Sequence, residues 1–370
     1  MSLNLKKKDK YKSYVEDYGS NKSSMKMVYI LIGLTVLTVA LVVLLVMFLN
    51  GTFGGEENTV PTPTPGQTDT TVPEDSDPPI ESENPGTPDG EKTVSVSISK
   101  EVPQIPEGTA PEYIMGTGDK LGYVVIDNSL KNKGDLILST MAQPLDGTYS
   151  LFREVNVYNE SINVMKEAVN VSNTNITFER RALSALVEML KGAKDEGHTK
   201  YFVDKAYVKA DEKDMDYRTG LAFDIGFIRL EEQGGGKFAE LPQGKYIIEN
   251  SYLYGFVQRY TIDKKAITGM DSDVTHYRYV GFPHSYVMKA KGMCLEEYVE
   301  YIRRSGSIEV KKNDKLAYEV SYCYLDPQST DGKTAYKLSD AAFKAYSEGK
   351  AKLTVSGDNF AGFIVTVIYN

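Results

Sequence analysis

Residues 27–49 read MVYILIGLTVLTVALVVLLVMFL, an apolar run without a charged side chain. As a helix rising about 1.5 Å per residue, such a run crosses the roughly 30 Å hydrocarbon layer of a membrane. A cleaved signal peptide is the competing reading, but its apolar region is about 7–15 residues long and ends at a small-x-small site. This run is longer and continues into Asn50-Gly-Thr-Phe-Gly-Gly, with no lipobox cysteine. It is read as an uncleaved anchor. Lys6, Lys7, Lys8, Lys10, Lys12, Lys22 and Lys26 precede it; Glu56 and Glu57 follow, with no Lys or Arg before Lys92. The positive-inside rule then places the tail, residues 1–26, in the cytoplasm and everything beyond residue 50 outside the cell membrane. With no intramembrane charge, the span anchors and does not transport.

Charge matters once it is located. The net charge is -9, and residues 51–91 hold ten Asp and Glu and no Lys or Arg. The rest of the chain is therefore nearly neutral, and nucleic acid is not an implied partner. Residues 50–92 are rich in Pro, Thr, Gly and acids, so they lack the apolar surface to fold and read as a disordered stalk. A flexible chain of that length spans about 35–40 Å, and proline and like charge extend it further.

From Thr93 the composition becomes globular. Period-two alternation predicts a strand over residues 94–99, with short strands at 123–126 and 136–139. Residues 178–196 read as an amphipathic helix stopped by Gly197. Strands are expected at 201–203, 220–227 and 277–280, and helices at 246–254 and 292–304. The last stretch, 305–370, reads as a small α+β extension with strands at 316–324, 353–355 and 363–369 and a helix at 339–347. Cys294 and Cys323 are too few for a disulfide framework; they either pair or are two separately buried thiols. Three histidines, His198, His276 and His284, leave little material for an all-His metal site. His198 is expected to be exposed and His284 to pack the turn after Gly281.

Three segments carry a family pattern: RRALSALVEMLKGAKDEG (180–197), YRTGLAFDIG (217–226), and the run from YGFVQRY through ITG and HYRYVGFPH to LEEY within 254–302. Together they resemble the VanY-type D-alanyl-D-alanine carboxypeptidases, zinc peptidases that trim peptidoglycan stem peptides. The resemblance covers residues 120–304 of a domain read as 93–304, leaving out the stalk and the extension. It implies an α+β fold: a small central antiparallel sheet with flanking helices, here preceded by one transmembrane helix.

The family takes zinc ligands from Ser-x-His-x-x-Gly-x-Ala-x-Asp and from the His of Glu-x-Trp-His, whose Glu is the base. Three protein ligands leave one position for a water of lowered pKa. Asp224 matches the ligand Asp, Gly220 and Ala222 the small residues, and His276 the second His. Tyr217 stands at the first His, Asp273 at the base and Thr275 at the Trp. In the motif whose Arg grips the substrate carboxylate, this chain has Lys205-Ala-Tyr-Val-Lys209, with Val208 at the Arg and Tyr207 before it. A phenol ligates zinc poorly, and Asp273 is one methylene shorter than Glu. A misplacement of about 1 Å costs on the order of 100-fold in rate. Without a guanidinium at 208, a terminal carboxylate loses its bidentate partner. Tyr207, Arg259 and Arg278 are candidate substrate contacts, although the two arginines equally suit bracing the sheet.

The expectation is a membrane-anchored cell-wall protein whose peptidase-like domain binds peptidoglycan stem peptides with impaired turnover. The alternative is an active carboxypeptidase in which Tyr217, Asp224 and His276 hold zinc. Zinc is implied if the chain is active and otherwise none. A third reading gives residues 305–370 a protein partner.

Overall fold

The structure is a computed structural model, and it describes residues 94–104, 113–146, 149–209, 214–228 and 237–370. All of them lie in one compact unit, residues 85–370. The expected tail, anchor and stalk fall outside the described residues. No helix among the described residues is long and apolar enough to cross a membrane.

In chain order the unit opens with β1 (Val94–Ile98), β2 (Ile114–Met115) and β3 (Tyr123–Asp127). Then come β4 (Glu154–Asn156), α1 (Val157–Asn163), β5 (Asn170–Val171), β6 (Thr177–Glu179) and α2 (Arg180–Asp195). The middle holds β7 (Tyr201–Lys205), β8 (Ala222–Phe227), α3 (Pro242–Asn250), β9 (Phe256–Tyr260), α4 (Lys265–Thr268) and β10 (Asp273–Tyr279). The rest is α5 (His284–Lys291), α6 (Leu295–Ser305), β11 (Ser307–Lys312), β12 (Lys315–Tyr324), β13 (Lys333–Lys337), α7 (Asp340–Ser347), β14 (Ala351–Gly357) and β15 (Gly362–Tyr369).

The central sheet runs β5-β7-β8-β10-β9. Its pairs are antiparallel except β5 with β7, which is parallel, so the sheet is not purely antiparallel as expected. One face is covered by α2, whose Leu183, Leu186, Val187 and Met189 are buried on a single stripe. Phe178, Phe223 and Phe256 meet edge to face beneath it, with centroids 5.6 and 5.3 Å apart. Such contacts add about 0.5–1.5 kcal/mol per pair beyond burial.

A second sheet runs β1-β11-β12-β15-β14, and a third runs β13-β3-β2. β1 pairs with β11 in parallel and β3 with β13 antiparallel. Residues 94–127 therefore share sheets with residues 307–337, across the border expected at 304/305. Ile308, Val310, Val320 and Ile364 join the same core as α2 and the central sheet.

Several element limits differ from the sequence reading. Residues 136–139 form no strand. Their backbone groups serve other partners: Leu136 N–H donates to Ser356 Oγ, Leu138 N–H to the Asp358 carbonyl, and the Ile137 carbonyl accepts from Arg278. The helix expected over 292–304 starts only at Leu295 and runs to Ser305, because Gly292, at φ +62°, is the cap that ends the preceding α5. The helix expected over 246–254 starts earlier, with Pro242 in its first turn, and its last four residues tighten into a 3-10 turn before Gly255. Both cysteines are buried and free.

Candidate functional site

The site is built on a ladder across three strands. Lys205 of β7 lies opposite Asp224 of β8, and Asp224 lies opposite His276 of β10. Side chains at paired positions leave a sheet on the same face. Tyr217 arrives from the 3-10 turn Met215–Thr219 that leads into β8. Gly220 ends that turn at φ +66°, and a Cβ there would stand 2.5 Å from Leu151. Asp214 caps the turn by accepting the Asp216 N–H at 2.9 Å, and Tyr260 Oη donates to the same carboxylate at 2.8 Å.

Tyr217, Asp224 and His276 therefore meet. Tyr217 Oη donates to Asp224 Oδ1 at 2.7 Å. His276 Nδ1 is 3.1 Å from that oxygen and 3.0 Å from Tyr217 Oη. On the other side of the ring, His276 Nε2 faces Asp216 Oδ2 at 3.3 Å. The His276 ring is 1% exposed. Lys205 Nζ sits 3.7 Å from the Tyr217 ring centroid, a cation–π contact. The Val208 N–H bonds the Tyr217 carbonyl at 3.4 Å, so position 208 adjoins the cluster without bringing a cation.

Two arginines form the back of the site. Arg278 is fully buried; it bonds Asp216 and the carbonyls of Asp135, Ile137 and Tyr279. Arg259 holds Glu296 of α6 through two hydrogen bonds, at 2.9 and 2.6 Å, with Asp216 3.6 Å from its Nε. Of the two roles open from sequence, bracing is what the geometry supports: neither guanidinium reaches the surface. Asp273 begins β10 and its Oδ1 accepts from the N–H and hydroxyl of Thr275 at 2.9 and 2.7 Å. Tyr207 is half-buried, its N–H on the Thr177 carbonyl. His198 is half-buried rather than exposed, 5.5 Å from the Tyr246 ring. His284 is buried, with Nδ1 2.9 Å from Tyr298 Oη, and burial pushes its imidazole down to about 3.

The electrostatics follow from these contacts. Burial alone would lower the His276 imidazole, but the hydrogen bonds to Asp216 and Asp224 and the charges of Asp216 and Asp214 outweigh it and hold it up at about 9. Burial would raise Asp224; His276, Tyr217 and Lys205 together pull it below its usual range. Asp216 is also pulled down, burial being outweighed by Arg278 and Arg259. Burial, and then the charge of Asp224, pushes the Tyr217 hydroxyl far up. Asp214 is raised by burial and by Asp216.

This donor set does not fit zinc. Zinc needs a neutral imidazole and anionic or neutral donors. Here a phenol stands where the first imidazole would be, and both it and the His276 ring are bonded to Asp224 Oδ1. Among the described residues no group of three or more His, Cys, Asp or Glu side chains is arranged to hold a metal ion. A cavity of about 870 Å³ is lined by Asp135, Arg181, Tyr279 and Tyr318 among others, with none of the three clustered residues on its wall.

Asp214, Asp216, Tyr260 and Lys205 were not singled out as site residues. The Asp-x-Asp ahead of Tyr217 was the available signal, since two acids beside a motif position must be satisfied somewhere.

Residues 194–282 match the family described as VanY, D-alanyl-D-alanine carboxypeptidase. A D-alanyl-D-alanine carboxypeptidase from Enterococcus faecium is 27% identical over 273 residues, covering 68% of this chain and 81% of that protein. The shared region is thus longer than residues 120–304. A bifunctional D-Ala-D-Ala dipeptidase and carboxypeptidase, VanXYC of Enterococcus gallinarum, is 35% identical over 92 residues, 24% of this chain and 48% of that protein. Among solved structures, the vancomycin-resistance D,D-dipeptidase VanXYg, solved with a D-Ala-D-Ala phosphinate analogue, superposes with a TM-score of 0.50 at 22% identity. That match covers 66% of this chain and 98% of VanXYg, and it supports the fold.

Proposed function

We propose that this chain, which carries a VanY-type D-alanyl-D-alanine carboxypeptidase domain, binds peptidoglycan stem peptides without hydrolysing them efficiently. The observation that carries the reading is the closed triangle of Tyr217, Asp224 and His276. The side chains that would hold a catalytic ion are bonded to one another. Two further departures point the same way. Asp273 is tied to Thr275, and Val208 offers a ligand carboxylate no guanidinium.

In this reading residues 27–49 anchor the chain in the membrane, and the acidic stalk holds the domain outside, at the wall. The wall is where stem peptides are found, and a tether raises the local concentration of domain and ligand. Calorimetric titration of residues 85–370 with a stem pentapeptide ending in D-Ala-D-Ala is the test. Saturable binding with the pentapeptide recovered intact is expected; no binding at millimolar peptide would overturn the proposal.

A second reading, an active carboxypeptidase, draws on the convergence itself. Tyr217, Asp224 and His276 do come together at one spot, and Asp214 Oδ2 is 3.8 Å from His276 Nδ1. It requires His276 and Tyr217 to release their protons to solvent as an ion binds in their place.

A further inference from the structure

Three donor atoms meet at the centre of the site, and their spacing says what holds them. Ligands of a tetrahedral zinc at 2.0–2.1 Å stand about 3.3–3.4 Å apart. The three separations here are 2.7, 3.0 and 3.1 Å, all shorter. These are hydrogen-bond lengths, so the triangle is closed by protons and must spread to admit an ion. Both nitrogens of His276 face carboxylates, Asp224 on one side and Asp216 on the other. The Lys205 ammonium stands over the Tyr217 ring. An incoming divalent cation meets that charge at close range, in a site where screening is weak.

We infer that Tyr217, with Lys205 above it, is a polar lock that stands in for a metal: it ties the turn 215–219 to β8 and β10 and keeps the site assembled with no ion bound. The lock replaces a structural debt that a metalloprotein settles with its ion. A half-buried Asp224 facing two ring systems needs a partner. Here the Tyr217 hydroxyl and the His276 ring supply it directly. The inference deepens the proposed function and rests on it only for its setting, since a metal-free site could hold a peptide or nothing at all. It also follows that one residue closes the site. In Tyr217→His, a second imidazole replaces the phenol, and two histidines and Asp224 face one point.

The test uses purified residues 85–370 as wild type, Tyr217→Phe and Tyr217→His, measured for zinc content and for thermal midpoint with zinc chloride or EDTA. The wild type is expected to hold far less than one equivalent of zinc, with a midpoint that neither additive moves. Tyr217→Phe, which loses the hydroxyl alone, should melt lower by the same amount in zinc and in EDTA. Tyr217→His should take up one equivalent of zinc and gain roughly 5 °C from it, a gain that EDTA removes. One equivalent of zinc in the wild type, or a fall in its midpoint with EDTA, would overturn the inference. So would a folded Tyr217→His that ignores zinc. If Tyr217→His does not fold, the wild-type zinc content and EDTA scan still decide. Pentapeptide titration separates the two proposals: a zinc-free wild type that binds no peptide sinks the proposed function and leaves the lock standing.

Discussion

His276 shows how much one residue's surroundings decide. Its sequence position marks it as a ligand candidate, yet its neighbours turn it into a buried cation between Asp216 and Asp224. The charge has a consequence for stability. The folded value, about 9, lies above the usual 6.5. The contribution is therefore complete below about pH 6.5, falls as pH rises, and is gone above about pH 9. Its size is on the order of 3 kcal/mol. Asp224 and Asp216 work in the opposite sense, since their folded values are depressed: their contribution is present above the usual carboxylate range and lost as pH falls. Denaturant melts of residues 85–370 should thus weaken between pH 7 and pH 9.5, and His276→Gln should start less stable and show a flatter alkaline slope. An unchanged slope would remove the charge from His276. At this scale the sequence was readable for position and silent on state. The family pattern marks Asp224 and His276. It could not tell that Arg278 is engaged by Asp216, 62 residues earlier, and by carbonyls of 135 and 137.

At the scale of elements, the site depends on how β8 is entered. The 3-10 turn must swing Tyr217 over Asp224 and then reverse into a strand within one residue. Gly220 does this at φ +66°, with Leu151 filling the space where a side chain would be. Gly220→Ala combines a left-handed backbone with a clash, and a cost of about 2–3 kcal/mol is expected. Tyr217 and His276 resonances in an NMR spectrum should shift in the folded fraction, because the turn carries the lock. A variant as stable as wild type would mean that the turn tolerates another conformation. The apolar run over 220–227 made β8 (Ala222–Phe227) legible beforehand. Residues 136–139 misled, because an apolar run looks the same whether its backbone pairs with a strand or with Arg278, Ser356 and Asp358.

The unit is wound so that its first strands pair with strands from its last third. β1 lies against β11 in parallel register, Val94 opposite Ile308, and β3 lies against β13. Neither pairing leaves a local signature: the partners are about 200 residues apart, and alternation in β1 says only that one face is covered. A domain ending at 304 would leave β1 without a partner and β3 with only the two-residue β2, and would strip Ile308, Val310, Val320 and Ile364 from the main core. Residues 93–304 alone should be insoluble or molten by near-ultraviolet circular dichroism, while residues 85–370 should melt cooperatively. A cooperative 93–304 fragment would restore the boundary at 304. The same winding places β1, the first described strand, in the sheet built by the extension.

The reading as a whole turns on whether the cluster cuts. The direct measurement is D-alanine released from a stem pentapeptide by residues 85–370, with zinc chloride supplied and with EDTA. The geometry predicts release at the level of the peptide blank in both, since the side chains that would hold the ion are bonded to one another and Asp273 is tied to Thr275. Release that is catalytic with zinc and abolished by EDTA would contradict it, and would mean that Tyr217, Asp224 and His276 open to take a metal.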